Sequence, residues 1–147
     1  MQVVVVVAHA ASTLFLTGLI WLVQVVHYPL FAHVGQDSFV AYEAAHSQRI
    51  TWLIAVPWAV QGLTTLALLV APPAAAPPWL VWLAAGLAAV PVVVTIAVSV
   101  PAHQALGTGF DAAAHARLVG TNWLRTGAWT AHSVVAMAIV ILTLRRG

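Results

Sequence analysis

Glu43 and His46 stand three residues apart in the segment YEAAH, a spacing that puts a carboxylate and an imidazole on one face of a helix. Glu-x-x-His pairs of this kind build di-iron helical bundles. A di-iron centre needs further carboxylates, and the others in the chain, Asp37 and Asp111, fall in loop or cap positions. The stretch around the pair is nevertheless dense in reactive groups: between Trp21 and Ile50 it also carries His27, Tyr28, His33 and Arg49, and His103, His115, Asn122 and Arg125 follow later. Neutral imidazole ligates copper, zinc and iron alike. One such metal could sit on His27 and His46 with one of His33, His103 or His115. Haem b is a second metal reading: His9 and His27 are 18 residues apart, ~27 Å along one azimuth of a helix, with His132 and His115 or His46 as axial partners. Alternatively, these histidines only hydrogen-bond at helix ends.

The background against which they stand is apolar. Of 147 residues 63% are hydrophobic and 5% charged, and the mean hydropathy is +1.00; soluble domains are about half apolar and about a quarter charged. The composition is that of a membrane protein, with the lipid bilayer as its first partner. Its cations are all arginines, and the net charge of +2 reflects a small surplus over three carboxylates, which does not argue for nucleic acid. With no cysteine, disulfides, thiolate metal sites and thiol redox chemistry are excluded. The N-terminal MQVVVVVAHAASTLF lacks a basic leader region, and its apolar run outlasts a signal-peptide core, so it reads as a retained span.

Four apolar runs, about 3–28, 50–70, 79–100 and 119–144, each approach the ~20 residues that cross a bilayer as a helix. They predict one all-α domain, a four-helix transmembrane bundle. Polar helical lead-ins are expected over 38–49, with Ser38 as N-cap, and over 111–118, with Asp111 as cap. APPAAAPP, residues 71–78, is a stiff turn between the second and third spans.

Span order alone then sorts the polar residues. His27, His33, His46, His103 and His115 fall on one membrane side with Glu43, Asp111, Arg49, Arg117 and Arg125; the termini, His9 and His132 fall towards the other. Helical phase adds seams at about 100° per residue: His9, Thr13, Thr17, Gln24 and His27 on the first helix; Tyr42, His46, Arg49, Leu53, Pro57 and Thr64 on the second; Pro91, Thr95 and Ser99 leading to His103 on the third; His115, Asn122, Arg125, Trp129 and His132 on the fourth. Polar seams on membrane helices face the bundle interior, so a polar cavity is expected between them. Trp52, Trp123 and Trp129 either line that pocket or serve as packing, and Trp79 is an interfacial belt residue.

Arg125 lies 14 residues beyond Asp111, ~21 Å along a continuous helix. An arginine at mid-span costs about 2.5 to 3.5 kcal/mol on insertion scales, so it needs a partner: Glu43, the Tyr28 phenol or the Asn122 amide. The other reading is a side chain that snorkels to the headgroups.

The segments WLVQVVHYPLF, YEAAHSQRITWLIAVP and VPAHQALGTGFDAAAHARLVGTNWLRTGAW resemble a family of small four-helix bacterial membrane proteins. The last, with Asn122, Trp123 and Arg125 as N-W-x-R, is similar to the anthrone oxygenase-like membrane family. The resemblance implies a membrane oxidoreductase or oxygenase that acts on an aromatic or quinone-like substrate with dioxygen. It further implies that Asn122 and Arg125 stabilise a phenolate or enolate, that His46 or His27 removes the proton, and that Glu43 orients that imidazole. Two other classes remain open: a transport subunit whose seam carries protons or metal, and an accessory subunit of a larger membrane complex or a homo-oligomer. By the positive-inside rule, Arg145 and Arg146 mark the terminal face as cytoplasmic, in what the resemblance makes a bacterial inner membrane.

Overall fold

The computed structural model describes residues 2–145; Met1, Arg146 and Gly147 lie outside the described residues, and with them one of the two arginines that mark the C-terminal face. Four long helices follow one another: α1 (Gln2–His33), α2 (Gln36–Val70), α3 (Pro78–Leu106) and α4 (Ala112–Arg145), each long and apolar enough to cross a membrane. No strand occurs among the described residues. The protein is an all-α four-helix bundle. α1 packs along both α2 and α4, and α4 along α3, while of these neighbouring pairs α2 and α3 meet least closely. That looser pair leaves room for a cavity on one side of the bundle.

The 35 residues of α2 and the 34 of α4 reach ~50 Å, well beyond the ~30 Å of a hydrocarbon core. The surplus is the polar lead-ins, which continue into the spans without a break. Ser38 is not the N-cap of α2. That place belongs to Gly35, whose carbonyl accepts the Ser38 N–H at 3.0 Å. At α4 the expected cap is present: the Asp111 carboxylate accepts the Ala114 N–H at 2.6 Å. The preceding turn needs Gly109, whose φ of 143° suits a residue without Cβ.

Two helices contain one widened turn each, Val23–His27 in α1 and Thr95–Ser99 in α3. In each, an N–H reaches back five residues, from Tyr28 to the Val23 carbonyl and from Val100 to that of Thr95. The cause is visible in the sequence. A proline ring collides with the carbonyl four residues before it; for Pro29 and Pro101 those are Val25 and Ala97, each the middle residue of its widened turn. Such π-turns often mark functional sites, and both abut the polar cluster described below. Pro57 is accommodated in α2 without one.

Apolar packing divides into two clusters. Leu16, Ile20, Phe31, Phe39, Leu106 and Leu118 enclose the half that holds most of the histidines. Val6, Leu68, Leu80, Val81, Val135 and Ile139 close the half near the termini. Outward-facing Val4, Val56, Leu63, Val70, Ile96 and Val134 are well exposed, as lipid-facing side chains must be when tails are as apolar as the residues they meet.

Candidate functional site: a buried hydrogen-bond relay

Where α1 ends, α2 begins, α3 ends and α4 begins, the four polar seams converge. Arg125 is 7% exposed, so it does not snorkel to the headgroups. Its guanidinium lies between the helices: Nε donates to Asn122 Oδ1 at 2.8 Å and Nη1 to Thr95 Oγ1 at 3.1 Å. Nη2 donates to the Tyr28 hydroxyl at 3.1 Å and also to Asn122 Oδ1. Asn122 is fixed in turn, since its Nδ2 donates to Gln24 Oε1 at 2.8 Å and Gln24 Nε2 donates to the Val119 carbonyl at 3.3 Å. The partners of Arg125 are thus the neutral amide and phenol rather than Glu43.

From Tyr28 the network runs on. Its hydroxyl is 3.0 Å from His103 Nε2, and His103 Nδ1 is 2.6 Å from Glu43 Oε1, which also accepts the Ser47 hydroxyl at 2.9 Å. Chemistry at the two ends sets the direction of the chain. A guanidinium only donates and a carboxylate only accepts. Tyr28 therefore accepts from Arg125 and His103 donates from Nδ1 to Glu43; in a neutral His103, Nε2 then accepts the Tyr28 hydroxyl. The assigned tautomer of His103 follows from these partners. A cation, a phenol, an imidazole and a carboxylate, one from α4, one from α1, one from α3 and one from α2, form a single oriented relay.

Tyr28, Glu43, Ser47, Thr95, Ser99, His103 and Arg125 all line a cavity of about 430 Å³ between α2 and α3, whose other walls include Ile50, Ile54 and Val100. A second, lateral cavity of about 300 Å³ between α1 and α2 has His27, Tyr42, His46 and Arg49 at its polar end and Leu19, Leu22 and Leu53 along its apolar side. A void of about 40 Å³ behind Arg125 shares Ile50 with both.

The expected site residues fare unequally. Asn122, Arg125 and Glu43 belong to the relay or hold it. His27 Nε2 and His46 Nδ1 are 2.7 Å apart, beside the relay: the His46 ring centroid is 5.3 Å from that of His103. Glu43 orients His103, not His46 or His27 as the sequence reading had it. His115 is turned to the backbone, where Nε2 donates to the Tyr28 carbonyl at 2.8 Å. His33 is exposed and outside the cluster. Among the described residues no three His, Asp or Glu side chains are placed to share a metal ion. The histidine nitrogens that come close are bound to one another, to Tyr28 or to Glu43, so the set does not fit a single copper, zinc or iron ion.

His9 Nε2 and His132 Nε2, the pair that would hold a haem near the terminal face, hydrogen-bond to each other at 3.0 Å. These two residues form a second buried polar cluster instead. Thr64 gives its hydroxyl proton to the Val60 carbonyl at 2.7 Å, so it accepts from His9 Nδ1 at 3.0 Å; His132 Nε2 then donates to His9. Gln61 connects Thr13, at 2.9 Å, with the indole of Trp129, at 3.2 Å. Sequence reading passed over Gln61, although a lone amide amid apolar residues three positions before Thr64 was the available signal. On α2 the buried polar face is Glu43, His46 and Gln61, whereas Arg49 and Leu53 are exposed. Of the three tryptophans considered for the pocket, Trp129 is buried, against Trp58, and Trp52 and Trp123 point outward.

No family model matches the chain, and neither curated proteins nor solved structures give a match. The functional reading therefore stands on this geometry.

Proposed function

We propose that the protein is a membrane-embedded oxidoreductase that takes an apolar hydroxyaromatic or quinol-type substrate into the cavity between α2 and α3. The observation that carries this reading is the oriented relay Arg125, Tyr28, His103 and Glu43 in that cavity's wall. A quinol becomes a quinone by losing two protons and two electrons, and dioxygen, taking up both, becomes hydrogen peroxide. The protein's share is to make the first proton easy to remove. His103, held by Glu43, is the base in this scheme, acting through Tyr28 or directly on substrate. Arg125, fixed by Asn122, is the preorganised positive charge that lowers the energy of the phenolate or enolate.

In this reading substrate arrives from the lipid, the protein is in a bacterial inner membrane, and the termini face the cytoplasm. The test is oxygen uptake by the purified, detergent-solubilised protein with a hydroquinone or anthrone. Turnover lost in Arg125→Ala with an unchanged helical spectrum supports the proposal. Activity kept in that variant refutes the role of Arg125, and no uptake by the wild type refutes the enzyme.

A further inference from the structure

Among the described residues three buried side-chain polar atoms have no hydrogen-bond partner: Glu43 Oε2, Ser99 Oγ and His132 Nδ1. The last is accounted for by the tautomers above, which leave His132 Nδ1 as a bare lone pair. The other two belong together. Glu43 on α2 and Ser99 on α3 are 1% and 2% exposed, and both line the 430 Å³ cavity.

Ser99 is unusual for a helical hydroxyl. Thr17, Thr51, Thr121, Thr126, Thr130 and Thr143 each return the proton to the carbonyl four residues earlier, the ordinary resting place for such a group. At Ser99 that carbonyl is on Thr95, inside the widened turn, where it accepts the Val100 N–H. The Ser99 hydroxyl makes no such bond and is left without a partner. Glu43 is left over on the acceptor side, because His103 and Ser47 both bind Oε1 and neither reaches Oε2. An unmade hydrogen bond at a buried site costs about 1 to 3 kcal/mol, so two in one cavity wall call for a common partner.

We infer that Glu43 Oε2 and Ser99 Oγ form the docking point for a ligand hydroxyl, which donates to the carboxylate while accepting from the serine. This rests on the proposed function and sharpens it, for it makes the site selective for the reduced, hydroxyl-bearing form. A quinone carbonyl or an aryl ether can accept from Ser99 but brings Glu43 an acceptor against an acceptor. Polar sites of this kind reject an analogue that lacks the hydrogen more strongly than apolar pockets reject a change of size. Release of the oxidised product follows from the same asymmetry.

The experiment is equilibrium binding to the full-length protein in detergent, corrected for partition into empty micelles, with 1-naphthol and its methyl ether, 1-methoxynaphthalene, as probes. The wild type is expected to prefer the naphthol on the order of ten- to a hundredfold. Glu43→Gln, checked for an intact melting transition, is expected to bring the ratio close to one, whereas Ser99→Ala is expected to weaken both probes and leave the preference in place. Equal affinities in the wild type overturn the inference and leave the two atoms merely hydrated, while the proposed oxidation can still be scored by oxygen uptake. A preference that survives in Glu43→Gln, or affinities for both probes that are unchanged in Ser99→Ala, overturns it as well. If neither probe binds, the cavity is not a ligand site, and the proposed function falls with it.

Discussion

Tyr28 and His103 are 75 positions apart in the chain, and the Tyr28 hydroxyl is 3.0 Å from His103 Nε2. That contact joins the cationic half of the cluster to the anionic half, since Arg125 does not touch Glu43. Replacement of Tyr28 by Phe keeps the ring against Phe31 but breaks the relay at its centre. Turnover of a hydroquinone is expected to fall by about 10²-fold or more, within the usual range for a positioned proton-transfer group. The midpoint of thermal unfolding is expected to move by only a few degrees, since the loss is on the order of 1 to 3 kcal/mol. Oxygen uptake and a melting curve on one preparation measure both.

Arg125→Lys tests geometry apart from charge. A lysine keeps a cation but cannot reach Asn122, Thr95 and Tyr28 together, as the guanidinium does. Activity should remain well below the wild type, with Arg125→Ala lower still. Full activity in the lysine variant would mean that charge alone is what the site requires.

His103→Ala leaves Glu43 buried with only Ser47 as partner. Leaving the buried carboxylate short of a donor costs about 1 to 3 kcal/mol or more, so this variant should melt lower. The double variant His103→Ala with Glu43→Gln should regain part of that stability without regaining turnover. A double-mutant cycle in detergent separates the two effects.

At the other end of the bundle, His132→Leu leaves His9 Nε2 without its partner, and the protein should lose about 1 to 3 kcal/mol. The pair His9→Leu with His132→Leu removes both groups, and an apolar replacement of both partners is expected to be far milder. Neither change should alter the ratio of naphthol to methoxynaphthalene affinity, because the cluster is formed with Thr64 rather than in the cavity wall.

Orientation has its own test. A reporter enzyme that is active only outside the cytoplasm, fused at the C-terminus, is expected to be silent. Strong activity would invert the placement of the site relative to the membrane.

Much of this molecule is legible in one dimension because lipid enforces simple rules. A backbone without water must be helical, and the lengths of the apolar runs then give four spans and their order. Order alone gathered His27, His46, His103 and His115 on one side, and phase alone placed Asn122, Arg125, Trp129 and His132 on one face of α4. Even the widened turns have a one-dimensional cause in Pro29 and Pro101. The pairings were another matter. Which acceptor meets Arg125, which imidazole Glu43 holds, and that His33, Trp52 and Trp123 point away depend on the rotation of each helix about its axis. Helical phase fixes that rotation only to within a broad arc, and the π-turns add a twist that a constant 100° step does not contain. Tertiary packing decided it, by setting Phe31, Phe39, Leu106 and Leu118 in one core and so turning Tyr28 and His103 towards each other. Composition, span order and helical phase pointed to a polar pocket inside an apolar bundle; only the packed helices decided that it is an oriented relay in which Glu43 Oε2 and Ser99 Oγ keep no hydrogen-bond partner.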